Sequence, residues 1–191
     1  MKTIAVALTV GAFVAGLPLL AQTHEGHTTP APARKMTNAQ KIRLALGAGP
    51  AEITKAAAVV EMAADGKMTE LRKGTNGWMC MPEPEAMCLD KEWQNWASAY
   101  MAKKDPQIKG VGIGYMLRGD HGASNTDPFA TGKTATNNWV VSPPHIMVLT
   151  PDGKQLDALP TDWKNGGPWV MWKGTKYAHI MVPTTTMAAA K

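Results

Sequence analysis

Cysteine is scarce in this chain. Two cysteines in 191 residues are too few for a thiolate zinc centre, which takes more ligands than this pair supplies. Arginine nowhere clusters among aromatics and the lysines are scattered, so a formal charge of +5 implies solubility or weak attraction to anionic surfaces, and nucleic acid is set aside as a partner. Leucine is also short. After residue 21 it occurs eight times against twelve methionines, whereas leucine is normally among the commonest residues of a globular domain. The one long apolar run lies at the start, Thr3 to Leu20. It has no twin arginine before it, no cysteine after it and no basic stop-transfer flank, which argues against twin-arginine export, lipid attachment and a retained anchor in turn.

That run, opened by Lys2 and closed by Leu19-Leu20-Ala21, reads as an export signal over residues 1–21, removed to leave no membrane span. Its removal takes Lys2 away and lowers the formal charge to +4. The mature protein is then periplasmic or secreted. Residues 22–35 are polar, spaced by proline and carry His24 and His27. They read as a flexible tail able to catch Cu(II) or Ni(II) loosely through imidazole. One globular domain is expected over residues 36–185, followed by a disordered tail at 186–191.

In an oxidising compartment Cys80 and Cys88 are expected to pair. The intervening Met81-Pro-Glu-Pro-Glu-Ala-Met87 excludes a helical turn, so the bond should clip a stiff surface loop. A redox pair or thiolate metal site is the alternative, at a spacing wider than active redox pairs use.

Hydrophobic periodicity suggests short strands around one good helix. Thr37 or Asn38 caps a first short helix carrying Ile42, Leu44 and Leu46. Ala56 to Met62 and Met68 to Arg72 flank Asp65-Gly66 as a hairpin. From Asp90 to about Lys103, Trp93, Trp96, Ala97, Tyr100 and Met101 recur at three and four residues, the pattern of an amphipathic helix. Val111 to Leu117, Trp139 to Val141, His145 to Leu149, Trp169 to Trp172 and Tyr177 to Pro183 read as strands. The fold class is α+β, with mostly short antiparallel strands forming a sheet or sandwich and the 90–103 helix packed on it.

Two places carry chemistry. The tetrapeptide His-Ile-Met-Val occurs twice, at His145–Val148 and His179–Val182, each with Trp-Val upstream at 139–140 and 169–170. In strands, residues two apart share a face, so His145 with Met147 and His179 with Met181 form matching imidazole–thioether pairs. These are either a copper site, since thioether and imidazole are the soft ligands left where free thiolate is absent, or a packed core in which methionine fills gaps beside tryptophan. His121 is a further candidate ligand. It lies in the second place, the loop from Arg118 to Phe129, which also holds Asp120, Ser124, Asn125 and Asp127. These residues suit oxygen-ligand binding or hydrolysis, and equally the backbone bonding of tight turns. Ser124 lacks the second glycine of a nucleophile elbow.

Asn76-Gly-Trp-Met-Cys-Met-Pro82, Met87-Cys-Leu-Asp90, Ser124-Asn-Thr-Asp-Pro128, Pro144-His-Ile-Met147, Trp169-Val-Met-Trp-Lys-Gly-Thr175 and Tyr177-Ala-His-Ile-Met-Val-Pro183, together with Gly114-Tyr-Met-Leu117, resemble a family of exported bacterial proteins of uncharacterised activity. The resemblance covers about Pro50 to Pro183. It implies an exported single domain with the Cys80–Cys88 bond as a family feature and transfers no activity. The functional reading therefore rests on the residues: a copper or other soft-metal binding protein using the His-x-Met pairs. An envelope module binding a small ligand or protein without catalysis is the alternative, and a hydrolase using the 120–127 loop the second, so an enzyme is the lesser expectation.

Overall fold

A computed structural model describes residues 35–63 and 65–186. The expected export signal, the His24/His27 segment and the residues from Met187 onward lie outside the described residues. Among the described residues ten strands and three α-helices follow in the order α1 Asn38–Leu46, α2 Ala51–Thr54, β1 Ala58–Met62, β2 Met68–Arg72, β3 Met79–Met81, β4 Met87–Leu89, α3 Lys91–Met101, β5 Gly112–Met116, β6 Ala123–Ser124, β7 Trp139–Val140, β8 His145–Leu149, β9 Trp169–Met171 and β10 His179–Pro183. Eight strands form one sheet ordered β2-β1-β3-β4-β5-β8-β10-β9, and β6 pairs with β7 alone. Among the described residues no helix is long and apolar enough to cross a membrane.

The local signals account for most elements. Thr37 caps α1 through a reciprocal box: its hydroxyl accepts from Gln40 N, and Gln40 Oε1 accepts from Thr37 N. Asp90 caps α3 by accepting from Trp93 N at 2.9 Å, and its other carboxylate oxygen accepts from Ile113 N at 2.5 Å. One side chain thus starts the helix and ties it to β5. At the β1–β2 hairpin Asp65 accepts from Lys67 N and Gly66 takes φ 81°, the left-handed geometry that glycine adopts without steric cost.

The strands pair mostly antiparallel, as expected, but one parallel pair makes the sheet mixed: β1 and β3 run parallel, Ala58 opposite Met79 and Val59 opposite Cys80. The cause is the return of the chain after β2. It crosses back over β1, with Thr75 N donating to Ala56 O and Ala58 N to Trp78 O. At the crossing a side chain on Gly74 would stand 2.0 Å from Ala58 N, so only glycine fits. The short helix α2, which Pro50 initiates, carries no periodic signal and was not anticipated.

Two clusters of buried residues lie on opposite faces. One gathers Ala45, Ala57, Val59, Cys80 and Cys88 with Tyr115 and the leucines of α1. The other gathers Met81, Leu89, Trp93, Trp96, Met147, Trp169 and Met181. On this second side Trp93 Nε1 donates to Met147 O at 3.1 Å. Gly114 leaves the space that Met147 Cε and Trp93 Cδ1 fill, 2.9 and 3.4 Å from where a Cβ would stand. The glycines of β5 thus admit side chains from α3 and β8.

Cys80 and Cys88 are bonded, 2.05 Å between sulfurs. They face each other directly in the β3–β4 ladder and both are fully buried, so the bond staples two core strands and not a surface loop. A closed loop with a sequence separation of 8 lowers unfolded-state entropy enough to stabilise by about 2.5 kcal/mol. Reduction should therefore lower the unfolding free energy by about that amount, measured by urea unfolding with and without a thiol reductant.

Candidate functional site

The repeated tetrapeptides are adjacent antiparallel strands. In the β8–β10 ladder Met147 pairs with Met181, Ile146 with Val182, Val148 with Ile180, and His145 with Pro183. The repeat is therefore palindromic in space: a local two-fold axis passes between Met147 and Met181, which sit at the centre, with a histidine at each end. The upstream Trp-Val pairs do not share this symmetry. Trp169-Val170 lies in β9 beside β10, whereas Trp139-Val140 belongs to the separate two-stranded sheet.

Each histidine is paired across the next strand with another methionine. Met116 of β5 stands opposite His145 and Met171 of β9 opposite His179. Alternation puts Met116 on the face of Gly112 and Gly114, and Met171 on that of Trp169, but only the register sets each opposite a histidine.

Both imidazoles are held alike. His145 Nδ1 lies 2.7 Å from Pro143 O and His179 Nδ1 lies 3.0 Å from Tyr177 O. A carbonyl only accepts, so the proton sits on Nδ1 in each neutral ring and Nε2 keeps its lone pair. Burial keeps both rings neutral. It lowers the pKa of His179 to about 4, against the opposing bond to Tyr177 O and with help from the charge of His145. Burial likewise lowers His145, opposed by Pro143 O and by Asp120. His145 Nε2 is buried without a hydrogen-bond partner, an acceptor whose desolvation nothing in the protein offsets.

The two ends differ. Around His179 stand Trp93, Trp96 and Trp172, edge-on with ring centroids at 5.3, 5.7 and 5.0 Å. Beyond them Trp96, Tyr100 and Trp172 stack nearly parallel. Near His145 lies Asp120, which accepts from Ser142 N at 2.7 Å. Burial raises its pKa, against the bonds from Ser142 and the proximity of His145.

These groups surround a cavity of 540 Å³. The β1–β2 hairpin contributes Met62 and Met68, the disulfide strands Met79, Met81 and Met87, and α3 Met101. The central strands add Met116, Met147, Met171 and Met181. Every methionine of the described residues except Met36 therefore lines one hollow. Five of them, Met81, Met116, Met147, Met171 and Met181, also belong to the buried core on this side of the sheet. A depression of 590 Å³ runs along the Thr126–Asn137 loop. It is more open, and with neither histidine nor methionine in its wall it is the weaker candidate.

His121 is exposed and sits on Glu85, Nδ1 2.9 Å from Oε2. Because Glu85 lines the cavity, this pair stands at its edge and apart from the two buried imidazoles. In the loop, Ser124 Oγ donates to Asn137 O at 2.8 Å and accepts from Thr126 N and Asp127 N, with no histidine among these partners. Asn125 braces two segments: its amide donates to Thr161 O and its oxygen accepts from Trp169 Nε1. Asp127 accepts from Phe129 N. Turn and bracing bonds occupy all three. Among the described residues no cluster of three or more His, Cys, Asp or Glu is arranged to hold a metal.

No family model, curated protein or solved structure matches this chain.

Proposed function

We propose that this is an exported, periplasmic or secreted protein that binds a soft metal ion, Cu(I) foremost, in the methionine-lined cavity. The observation that carries the reading is the convergence of the methionines on two buried, neutral imidazoles, each proton pinned to a backbone carbonyl and each Nε2 left with its lone pair. Pinning of that kind is how ligating histidines are commonly oriented. Thioether sulfur needs no deprotonation and prefers Cu(I) over harder ions. In this reading His145, Met147, His179 and Met181 supply donors, and His121 with Glu85 marks the mouth.

One observation favours a second reading. At 540 Å³ the hollow is far larger than a bare ion, and its wall of thioether and indole suits an apolar small molecule held without catalysis. The two are separated by titrating the protein with Cu(I) against a chromophoric chelator, and in parallel with an environment-sensitive apolar dye. Metal binding predicts withdrawal of Cu(I) from the chelator at sub-micromolar free ion. Uptake of dye with no withdrawal of Cu(I) would replace the first reading with the second.

A further inference from the structure

We infer that the cavity takes two soft ions, one at His145, Met116 and Met147 and one at His179, Met171 and Met181. The inference rests on the metal-binding reading and adds the number, place and donors of the ions. Its basis is the register. His145 and His179 lie on neighbouring antiparallel strands but on opposite sides of the Met147–Met181 pair, two residues from it in each direction. Four residues of strand rise separate them by about 13 Å along the ladder. Each ring is also fastened to its own strand through Nδ1, so neither is free to swing toward the other's ion.

Each imidazole has its own pair of thioethers. Directly opposed residues of an antiparallel pair bring their Cβ atoms to about 5 Å, and residues two apart on one strand are about 7 Å apart. Met116 and Met147 stand in those relations to His145, and Met171 and Met181 to His179. The local two-fold thus generates two equivalent sets of one imidazole nitrogen and two thioether sulfurs. The buried Nε2 of His145, which has no partner in the protein, is the donor the first set would engage. The surroundings make the sets chemically distinct, with the carboxyl of Asp120 near the first and three indole edges around the second.

The test is the stoichiometry of Cu(I) bound by the full chain, kept reduced with ascorbate and measured against a chelator. A His24→Ala/His27→Ala background removes the N-terminal imidazoles. The parent should take two ions. Met116→Leu and Met171→Leu should each take one, and their combination none. Methionine-to-leucine exchange conserves volume and is usually tolerated in cores, which near-UV circular dichroism of the apoprotein checks. X-ray absorption at the copper edge of the parent should give one nitrogen and two sulfurs per copper, a readout independent of any variant. One ion in the parent, or two that persist through both single exchanges, overturns the two-site assignment and leaves metal binding standing. No uptake by the parent overturns the metal reading itself.

Discussion

Exchanging Met147 and Met181 together for leucine should weaken Cu(I) binding at least 100-fold while leaving the fold within about 1.5 kcal/mol of the parent. These two residues form the centre of the palindrome, each two residues from one histidine and paired across the ladder with the other, so a single double variant strips a sulfur from each donor set. Loss of a thioether removes a soft ligand without introducing a charge or a polar group, and leucine fills nearly the same space among Leu89, Trp93 and Trp169. The measurement is chelator competition for the metal, paired with urea unfolding of the apoprotein for stability. Unchanged affinity would mean that these sulfurs are packing material.

In the absence of metal, acidification from pH 6.5 to about 4 should destabilise the protein by about 3 kcal/mol through His179 alone. Its pKa falls from 6.5 to about 4 on folding because burial excludes the charged ring. Above pH 6.5 the ring is neutral in both states and costs nothing. Between 6.5 and about 4 the unfolded chain takes up a proton that the folded one refuses, so stability drops as pH falls, and below about 4 the loss is complete. The gap corresponds to about 3 kcal/mol. His145, also lowered, acts in the same direction. Asp120 acts in the opposite one, because a carboxyl whose pKa is raised by burial gains folding stability as it protonates. A His179→Gln variant isolates the effect: its unfolding free energy should slope less between pH 6.5 and 4 than that of the parent. Equal slopes would exclude His179 as the source.

Much of the scaffold was legible because local chemistry dictated it. Thr37 with Gln40, Asp65-Gly66 and Asp90 ahead of the Trp93/Trp96 stripe each specify a terminus or turn through bonds within a few residues. The twin tetrapeptides were legible as strands from their alternation, and the ladder sets them side by side. What escaped depended on long-range register. Nothing near Ala58 tells that β3 will lie parallel beside β1, since that follows from where the crossing at Gly74 finds room. Met116 and Met171 were not singled out, because a methionine becomes a neighbour of histidine only once one strand is set opposite another. The bracing role of Asn125 likewise appears only when Thr161 and Trp169 arrive from 36 and 44 residues away.

Alternation along β3 and β4 has an outcome for sulfur. Cys80 and Cys88 point to the α1 side, while Met79, Met81 and Met87 on the same two strands point to the opposite side. The sheet thereby sorts its sulfur: the disulfide lies on one side and the thioethers are gathered on the other. An ion bound among the thioethers would have the backbone of the sheet between it and the disulfide.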